Sequence, residues 1–136
     1  MAKKTLCTVL LAALMLACAL PASAAAPDQI TPLWDNIATL TPTLIFYNNT
    51  GYLSVTIQGE NETSNITATA RLYYKSTSGS WIEISQNWDY DVDQTALYIT
   101  ETFSGVSGRE YKVEIDIEVT VGNYTESESV TVTATC

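Results

Sequence analysis

Residues 109–121 carry an unbroken alternation of apolar and polar side chains. The apolar members stand at every second position: Tyr111, Val113, Ile115, Ile117, Val119 and Val121. Between them stand charged residues and one threonine. Successive side chains of a strand point to opposite faces, whereas a helix would scatter these apolar groups all round its axis. The segment therefore predicts a long strand with one face on a core and the other in water.

Six further segments have strand patterns and are separated by turn-like clusters. They are residues 43–48, 52–57, 65–75, 81–85, 95–103 and 129–136. Residues 86–94 are polar enough to be predicted as a loop. Threonine, valine, isoleucine and tyrosine dominate the strand segments, as expected for side chains that suit a pleated sheet. Seven short strands predict an all-β antiparallel sandwich of immunoglobulin-like size, formed by one domain at residues 43–136.

Residues 1–24 have the three parts of a secretory signal peptide. Lys3 and Lys4 precede an apolar run at residues 6–20, and small residues follow. We therefore expect a secreted, extracellular protein in which residues 25–42 form a flexible lead-in and N-terminal flank. Lipid modification of Cys18 is an alternative that the sequence leaves open.

The exported chain is strongly acidic. Removal of residues 1–24 takes away two of the six basic residues and leaves all fifteen acidic ones, so the formal net charge changes from −9 to −11. A polyanionic surface repels nucleic acid and anionic lipid. We expect neither a nucleic acid nor, after signal cleavage, a membrane among the partners.

The chain has no histidine, which excludes Ser-His-Asp and Cys-His catalysis and the usual zinc sites. Glu114, Asp116 and Glu118 share an open polar face, where nothing would raise the pKa of a proton donor. We therefore expect no enzyme.

The exported chain keeps one cysteine, Cys136. It follows Val130, Val132 and Ala134 at alternate positions, so its side chain should point inward as theirs do. We expect a monomer with a partly shielded thiol, and a Cys136-linked dimer is the alternative.

Two stretches resemble fibronectin type III domains. Residues 108–113, followed by 122–123 and 129–135, are similar to that family's turn, Tyr-x-Val strand start and final hairpin. Residues 71–75 and 79–83 resemble its C–C′ hairpin. The resemblance implies an immunoglobulin-like sandwich in which residues 65–75 lie antiparallel beside residues 109–121.

The family places a core tryptophan in its second strand, where this chain has Ile57. The whole chain also resembles small single-domain proteins secreted by Gram-positive gut bacteria. Neither resemblance implies an activity, because one fold serves many functions.

Three alternating carboxylates form a candidate calcium site. Asp89, Asp91 and Asp93 lie within the predicted loop, and Ca²⁺ takes several oxygen ligands. The segment departs from an EF-hand loop, because Gln94 and Thr100 stand where that loop needs glycine and glutamate. The alternative interpretation is a solvated acidic loop that keeps a sheet edge soluble.

Four aromatic residues form a candidate glycan-binding surface: Tyr73, Trp81, Trp88 and Tyr90. Tyr52 is a further aromatic residue that could join them. Exposed rings offer flat platforms for sugars, but the same residues could instead cover core edges or pack against each other across strands.

The sequence predicts a secreted, non-enzymatic interaction or structural module, and its alternative is a carbohydrate-binding module that uses exposed aromatic rings. The expected partner is a protein or a glycan.

Overall fold

The computed structural model describes residues 33–136. The predicted signal peptide and residues 25–32 of the predicted lead-in and flank lie outside the described residues. Seven strands follow one another: β1 Ile37–Tyr47, β2 Thr50–Gly59, β3 Thr63–Lys75, β4 Trp81–Val92, β5 Ala96–Ser104, β6 Glu110–Val121 and β7 Tyr124–Thr135. They form a three-stranded sheet in the order β1-β2-β5 and a four-stranded sheet in the order β4-β3-β6-β7. Every pairing is antiparallel. The predicted all-β sandwich of seven strands is confirmed.

Strand β6 lies inside the four-stranded sheet, between β3 and β7. Its inward residues from Tyr111 to Val119 are at most 2% exposed, and Val121 at its end is half-buried. On the outward side Glu118 is exposed as predicted. Glu114 and Asp116 are instead half-buried, because side chains on the neighbouring strands pack beside them.

The pairing of β3 with β6 agrees with the prediction that residues 65–75 lie beside residues 109–121. Arg71 stands opposite Glu114, and its guanidinium lies 2.7 Å from the Asp116 carboxylate on the same strand. The apolar side chains of β3 meet the apolar face of β6 inside the sandwich. Burial of both apolar rows sets the register, since a slip of one strand by one residue would turn the apolar row of that strand outward.

Strand β4 corrects the sequence interpretation. Residues 86–94 were predicted as a loop after a strand ending at residue 85, but the strand continues to Val92. Its pairing with β3 skips residues between Glu83 and Asn87, which leaves a bulge in the edge strand. The bulge allows a polar, interrupted sequence to remain in the sheet, because it absorbs the residues that have no partner.

Strand β1 also begins earlier than the strand predicted at residues 43–48. It starts at Ile37, and Pro42 lies inside it opposite Val55. Proline is tolerated there because β1 is an edge strand, with one side free of ladder hydrogen bonds. The hairpin to β2 turns at Asn48 and Asn49, which both have positive φ, as a two-residue type I′ connection requires.

Carboxylates join the two sheets at both open sides of the sandwich. At the side of β1 and β7, Glu126 accepts the backbone N–H groups of Asp35, Asn36 and Ile37 at 2.7–3.1 Å. At the side of β4 and β5, Glu101 accepts a hydrogen bond from the Tyr90 hydroxyl. The first contact explains why the domain includes residues before Thr43.

The shared core contains buried apolar side chains from five strands, with Leu53, Ile57, Ile66, Ile99, Ile115 and Ile117 among the largest fully buried members. Between β5 and β6, the Tyr111 hydroxyl accepts the N–H of Val106 at 2.9 Å. This bond fixes the turn that crosses from one sheet to the other.

Within residues 33–136 we find no helix able to cross a membrane.

Candidate functional site

The outer face of the three-stranded sheet carries no charged side chain at its outward positions. Five residues from each strand make up this surface, which we call the hydroxyl face. They are Thr39, Thr41, Thr43, Ile45 and Tyr47 of β1, Thr50, Tyr52, Ser54, Thr56 and Gln58 of β2, and Ala96, Tyr98, Thr100, Thr102 and Ser104 of β5. The alternation places them together, because every inward neighbour belongs to the core or its edge.

Large apolar side chains are exposed on the hydroxyl face. Tyr98 is 71% exposed, Tyr47 68%, Ile45 56% and Tyr52 40%. Ile45 stands directly opposite Tyr52, and Tyr98 stands opposite Thr56. Tyr98 is therefore displaced from Tyr52 by about 13 Å along the strands and by one strand spacing of about 4.8 Å. Two aromatic positions separated by hydroxyl-bearing residues thus define the long dimension of this face.

The outer face of the four-stranded sheet, which we call the charged face, has the opposite chemistry. Its outward charged residues are Arg71 and Lys75 of β3, Glu83, Asp89 and Asp91 of β4, and Glu110, Lys112, Glu114, Asp116 and Glu118 of β6. Three ion pairs connect them: Arg71 with Asp116, Lys75 with Glu110, and Lys112 with Glu114. Six of these ten charged side chains are therefore paired with one another.

The carboxylates of the charged face have lowered pKa values where a shift is resolved. The pKa of Asp116 is lowered chiefly by the hydrogen bond that Ser129 donates at 2.7 Å, and further by Arg71. The pKa of Glu114 is lowered by hydrogen bonds from Lys112 and then from Tyr73. These shifts favour the ionised carboxylate, whereas a general acid needs a raised pKa. The two groups are suited to accept hydrogen bonds and not to donate protons.

The four aromatic residues predicted as a glycan surface lie on two different sides of their sheet. Tyr73 and Trp81 point outward on the charged face, beside lysine side chains. The Lys112 ammonium lies 4.4 Å from the centre of the Tyr73 ring and 5.1 Å from that of Trp81, and Lys75 lies 5.5 Å from the same tryptophan. These rings are thus engaged in cation–π contacts.

Trp88 and Tyr90 point inward from β4, opposite Ala70 and Ala68. The Trp88 ring centre lies 6.3 Å from that of Phe103, and both β4 residues pack against the core. Burial raises the pKa of the Tyr90 hydroxyl, and its hydrogen bond to Glu101 raises it further. The four predicted residues therefore do not form one surface.

The three aspartates predicted to bind calcium lie at the end of β4 and just beyond it, and all three are exposed. Asp89 accepts the Thr69 hydroxyl at 2.8 Å, while Asp91 and Asp93 accept the Asn65 amide at 2.7 and 3.0 Å. An extended strand separates alternate residues by about 6.6 Å, so it does not wrap a cation as a loop does. Within residues 33–136 no group of three or more histidine, cysteine, aspartate or glutamate side chains is arranged to hold a metal ion.

Two shallow depressions lie outside the hydroxyl face. One of about 490 Å³ crosses the charged face between Thr67, Arg71, Asp116 and Ser129. The other, of about 380 Å³, lies between residues 75–77 and 106–110 at one end of the sandwich. In the first, Arg71 and Ser129 both donate hydrogen bonds to Asp116, so these three polar groups already have partners.

Cys136 is half-buried at the end of β7 and packs against the core. Its backbone N–H donates to the Arg109 carbonyl at 2.9 Å, and its carbonyl accepts the Gly108 N–H. The thiol lies 3.5 Å from the Asn49 side-chain oxygen. The last residue is thus paired within the sheet, while the monomer and the Cys136-linked dimer remain predictions.

Sequence reasoning missed Ile45, Tyr47 and Tyr98 as exposed residues of one surface. The available signal was their outward parity, combined with the lack of charge at the outward positions between them. A search for alternating apolar residues finds the buried side of a strand. It does not find this outward row, because threonine and serine residues have no hydrophobic periodicity.

Comparisons with known proteins assign no family to this chain. No protein-family description matches the chain. No curated protein matches it. A domain of the Parabacteroides merdae β-glucuronidase crystal structure superposes with a TM-score of 0.39 at 10% sequence identity. The match covers 68% of this chain and 13% of the enzyme chain, so this chain spans a small fraction of that protein.

Proposed function

We propose that this chain is an exported, non-enzymatic interaction module with a fibronectin type III-like sandwich, and that it binds its partner through the hydroxyl face. The proposed partner is an extracellular protein or glycan. The observation that carries the proposal is the contrast between an uncharged face with exposed tyrosines and a chain that is otherwise strongly acidic.

The superfamily assignment is supported by local features. β3 lies between β4 and β6. By the resemblance drawn from residues 71–83 and 108–123, β3, β4 and β6 correspond to strands C, C′ and F of that family. The Tyr111 hydroxyl bonds back to the backbone at Val106, five residues upstream. A tyrosine near the start of a strand with this bond is a hallmark of immunoglobulin-like sandwiches.

The proposed binding role of the hydroxyl face is supported by its composition. Exposed apolar groups rimmed by polar residues mark interaction sites more often than isolated exposed side chains do. Tyr47, Ile45 and Tyr52 stand in one group, and Tyr98 extends the exposed apolar surface along β5. The charged face is a weaker candidate, because its arginine and two of its lysines already pair with its carboxylates.

The non-enzymatic role is supported by the chemistry available. The chain has no histidine, and the carboxylates with resolved shifts are held ionised. Export is supported by the lysines, apolar run and small residues of residues 1–24. Expression of the full chain with its own leader should yield a secreted product whose mass lacks about the first 24 residues.

The alternative of a carbohydrate-binding module built from Tyr73, Trp81, Trp88 and Tyr90 has less support. Two of those rings lie beside lysines and two face the core. The hydroxyl face instead presents three exposed tyrosine rings, those of Tyr47, Tyr52 and Tyr98.

A matched pair of variants tests the proposed surface. Thr100 and Thr131 are both exposed threonines on edge strands, but Thr100 lies on the hydroxyl face and Thr131 on the outer side of β7. We expect Thr100→Lys to weaken saturable binding to a panel of immobilised polysaccharides and extracellular proteins at least tenfold. We expect Thr131→Lys to leave the same binding unchanged. Loss with Thr131→Lys alone, or no saturable binding to any member of the panel, contradicts the proposal.

A further inference from the structure

We propose that the ligand of the hydroxyl face is a neutral polysaccharide chain, held by stacking on Tyr52 and Tyr98 and by hydrogen bonds to the threonine and serine hydroxyls between them. This inference rests on the proposed function and adds the chemical class of the ligand. It is argued from the charge, the side-chain chemistry and the shape of the face.

The charge of the face selects an uncharged ligand. None of its fifteen outward residues is acidic or basic, so a carboxylated or sulfated glycan finds no cation to pair with there. The four basic residues outside residues 1–32 are Arg71, Lys75, Arg109 and Lys112, and all belong to β3, β6 or the turn before β6. The many acidic residues elsewhere repel an anionic polymer.

The side-chain chemistry matches a sugar ring. A pyranose has an apolar face of C–H groups and a rim of hydroxyls, so it needs a flat aromatic surface together with small donors and acceptors. Tyr52 and Tyr98 supply two such aromatic surfaces. Ser54, Thr56 and Thr100 lie between them and can each donate and accept a hydrogen bond.

The shape of the face favours a polymer over a small molecule. Small ligands bind in clefts that enclose most of their surface. Twelve of the fifteen outward residues of the hydroxyl face are exposed, so this face offers an open platform. Its two aromatic positions are about 14 Å apart from strand geometry, which a single sugar ring does not bridge. An extended chain can contact both.

A second copy of this chain fits the face less well. Three strands about 4.8 Å apart and about 33 Å long offer roughly 500 Å² on each copy, so a pair would bury about 1,000 Å², near the lower limit for a stable dimer. Each copy also has a large net negative charge, which opposes association. Self-association therefore becomes an outcome of the test.

The test uses the exported chain, insoluble cellulose, insoluble β-1,3-glucan, chitin and mannan as neutral probes, and polygalacturonate and heparin as anionic ones. We expect retention on at least one neutral polysaccharide and on neither anionic polymer. Tyr98→Ala and Tyr52→Ala should weaken that retention at least tenfold, while Tyr98→Phe, which keeps the ring, should stay within about threefold of the wild type.

Tyr124→Ala is the matched control. Tyr124 is 55% exposed at the start of β7, in the four-stranded sheet, so its removal deletes a tyrosine of similar exposure outside the hydroxyl face. Its binding should equal that of the wild type. Thermal unfolding of all four variants establishes that each is folded before binding is compared.

Three results overturn the inference. They are no retention on any neutral polysaccharide, preference for an anionic polymer, and equal weakening by Tyr124→Ala. If a protein of the panel binds and Thr100→Lys abolishes that binding, the ligand class is wrong and the proposed function stands. Sedimentation that detects a dimer dissociated by Thr100→Lys assigns the face to a second copy instead. Failure of every probe and of the panel overturns both proposals.

Discussion

The hydroxyl face and the charged face cover the same core from opposite sides, but their outward residues differ in charge. Both sheets alternate buried apolar and outward polar positions. The outward side of the four-stranded sheet has ten charged residues, six of them in ion pairs, whereas none of the fifteen outward residues of the three-stranded sheet is charged. Burial constrains inward residues strongly and outward residues weakly, so the outward composition is free to reflect binding.

The two faces also differ in how far their side chains satisfy one another. On the charged face the Asp116 carboxylate accepts hydrogen bonds from Arg71 and Ser129, and the Glu114 carboxylate accepts one from Lys112. On the hydroxyl face Tyr47 and Tyr98 are each more than two-thirds exposed. A face whose groups pair internally loses those contacts when a ligand binds, whereas a face with exposed rings loses only water. The comparison therefore favours the hydroxyl face over the charged face as the proposed binding surface.

The largest expected effect tests whether the two faces share one core. Ile57 lies beneath the hydroxyl face and Ile115 beneath the charged face, and neither is exposed. We expect Ile57→Ala and Ile115→Ala each to lower the free energy of unfolding by about 2–5 kcal/mol, because each leaves a cavity in a packed interior. Urea denaturation measures both.

The control for that experiment is Ile45→Ala, which removes an exposed isoleucine of the hydroxyl face. It should change the free energy of unfolding by no more than about 0.5 kcal/mol, as surface substitutions usually do. A loss below about 1 kcal/mol for either buried isoleucine would mean that its sheet does not depend on the shared core.

An intermediate effect is expected at the side where the two sheets meet through Glu126. Its carboxylate accepts three backbone N–H groups from the segment that leads into β1. Hydrogen bonds to charged groups contribute about 1.5–3 kcal/mol, so we expect Glu126→Ala to cost about that much in the free energy of unfolding. Hydrogen exchange at Asn36 and Ile37 should accelerate in the same variant.

Glu128→Ala is the matched control, since Glu128 is half-buried two residues further along β7 and does not bind that segment. It should leave exchange at Asn36 unchanged. Equal exchange rates in Glu126→Ala and wild type would show that the three hydrogen bonds do not hold the start of β1.

The smallest expected effect is a pH dependence that belongs to the charged face alone. Asp116 and Glu114 have lowered pKa values in the folded chain, through Ser129 and Arg71 in one case and Lys112 and Tyr73 in the other. Ionised carboxylates of this kind contribute stability above their unfolded pKa of about 4, and the contribution is lost as the pH falls through the lower folded pKa. Because both groups are partly solvated, the loss should be modest.

Thermal unfolding between pH 7 and pH 2 measures this effect. Asp116→Asn should lose less stability on acidification than the wild type does, because one of the two carboxylates with a lowered pKa is gone. Thr100→Lys on the hydroxyl face should follow the wild-type dependence in this range, since no carboxylate lies on that face. Equal loss of stability in Asp116→Asn and the wild type would contradict the lowered pKa of Asp116.

Much of the fold could be predicted from the sequence, because side-chain alternation along a strand is a local property. The parity of β6 and β3 predicted which residues are buried, and the lack of histidine limited the chemistry. The C-terminal end of β4 could not be predicted in the same way. Its polar sequence resembles a loop, and only pairing with β3 across a bulge keeps residues 86–92 in the sheet.

The sequence by itself determined the inward and outward sides of most strands, and the tertiary structure decided which outward sides join into one surface. Tyr73 and Trp81 meet Lys112 only because β3 lies between β4 and β6. Tyr52 and Tyr98 share the hydroxyl face only because β2 pairs with β5 across a long stretch of intervening chain. Alternation follows from the dihedral angles of each residue, whereas strand order depends on how two sheets bury one core, and no short segment contains that information.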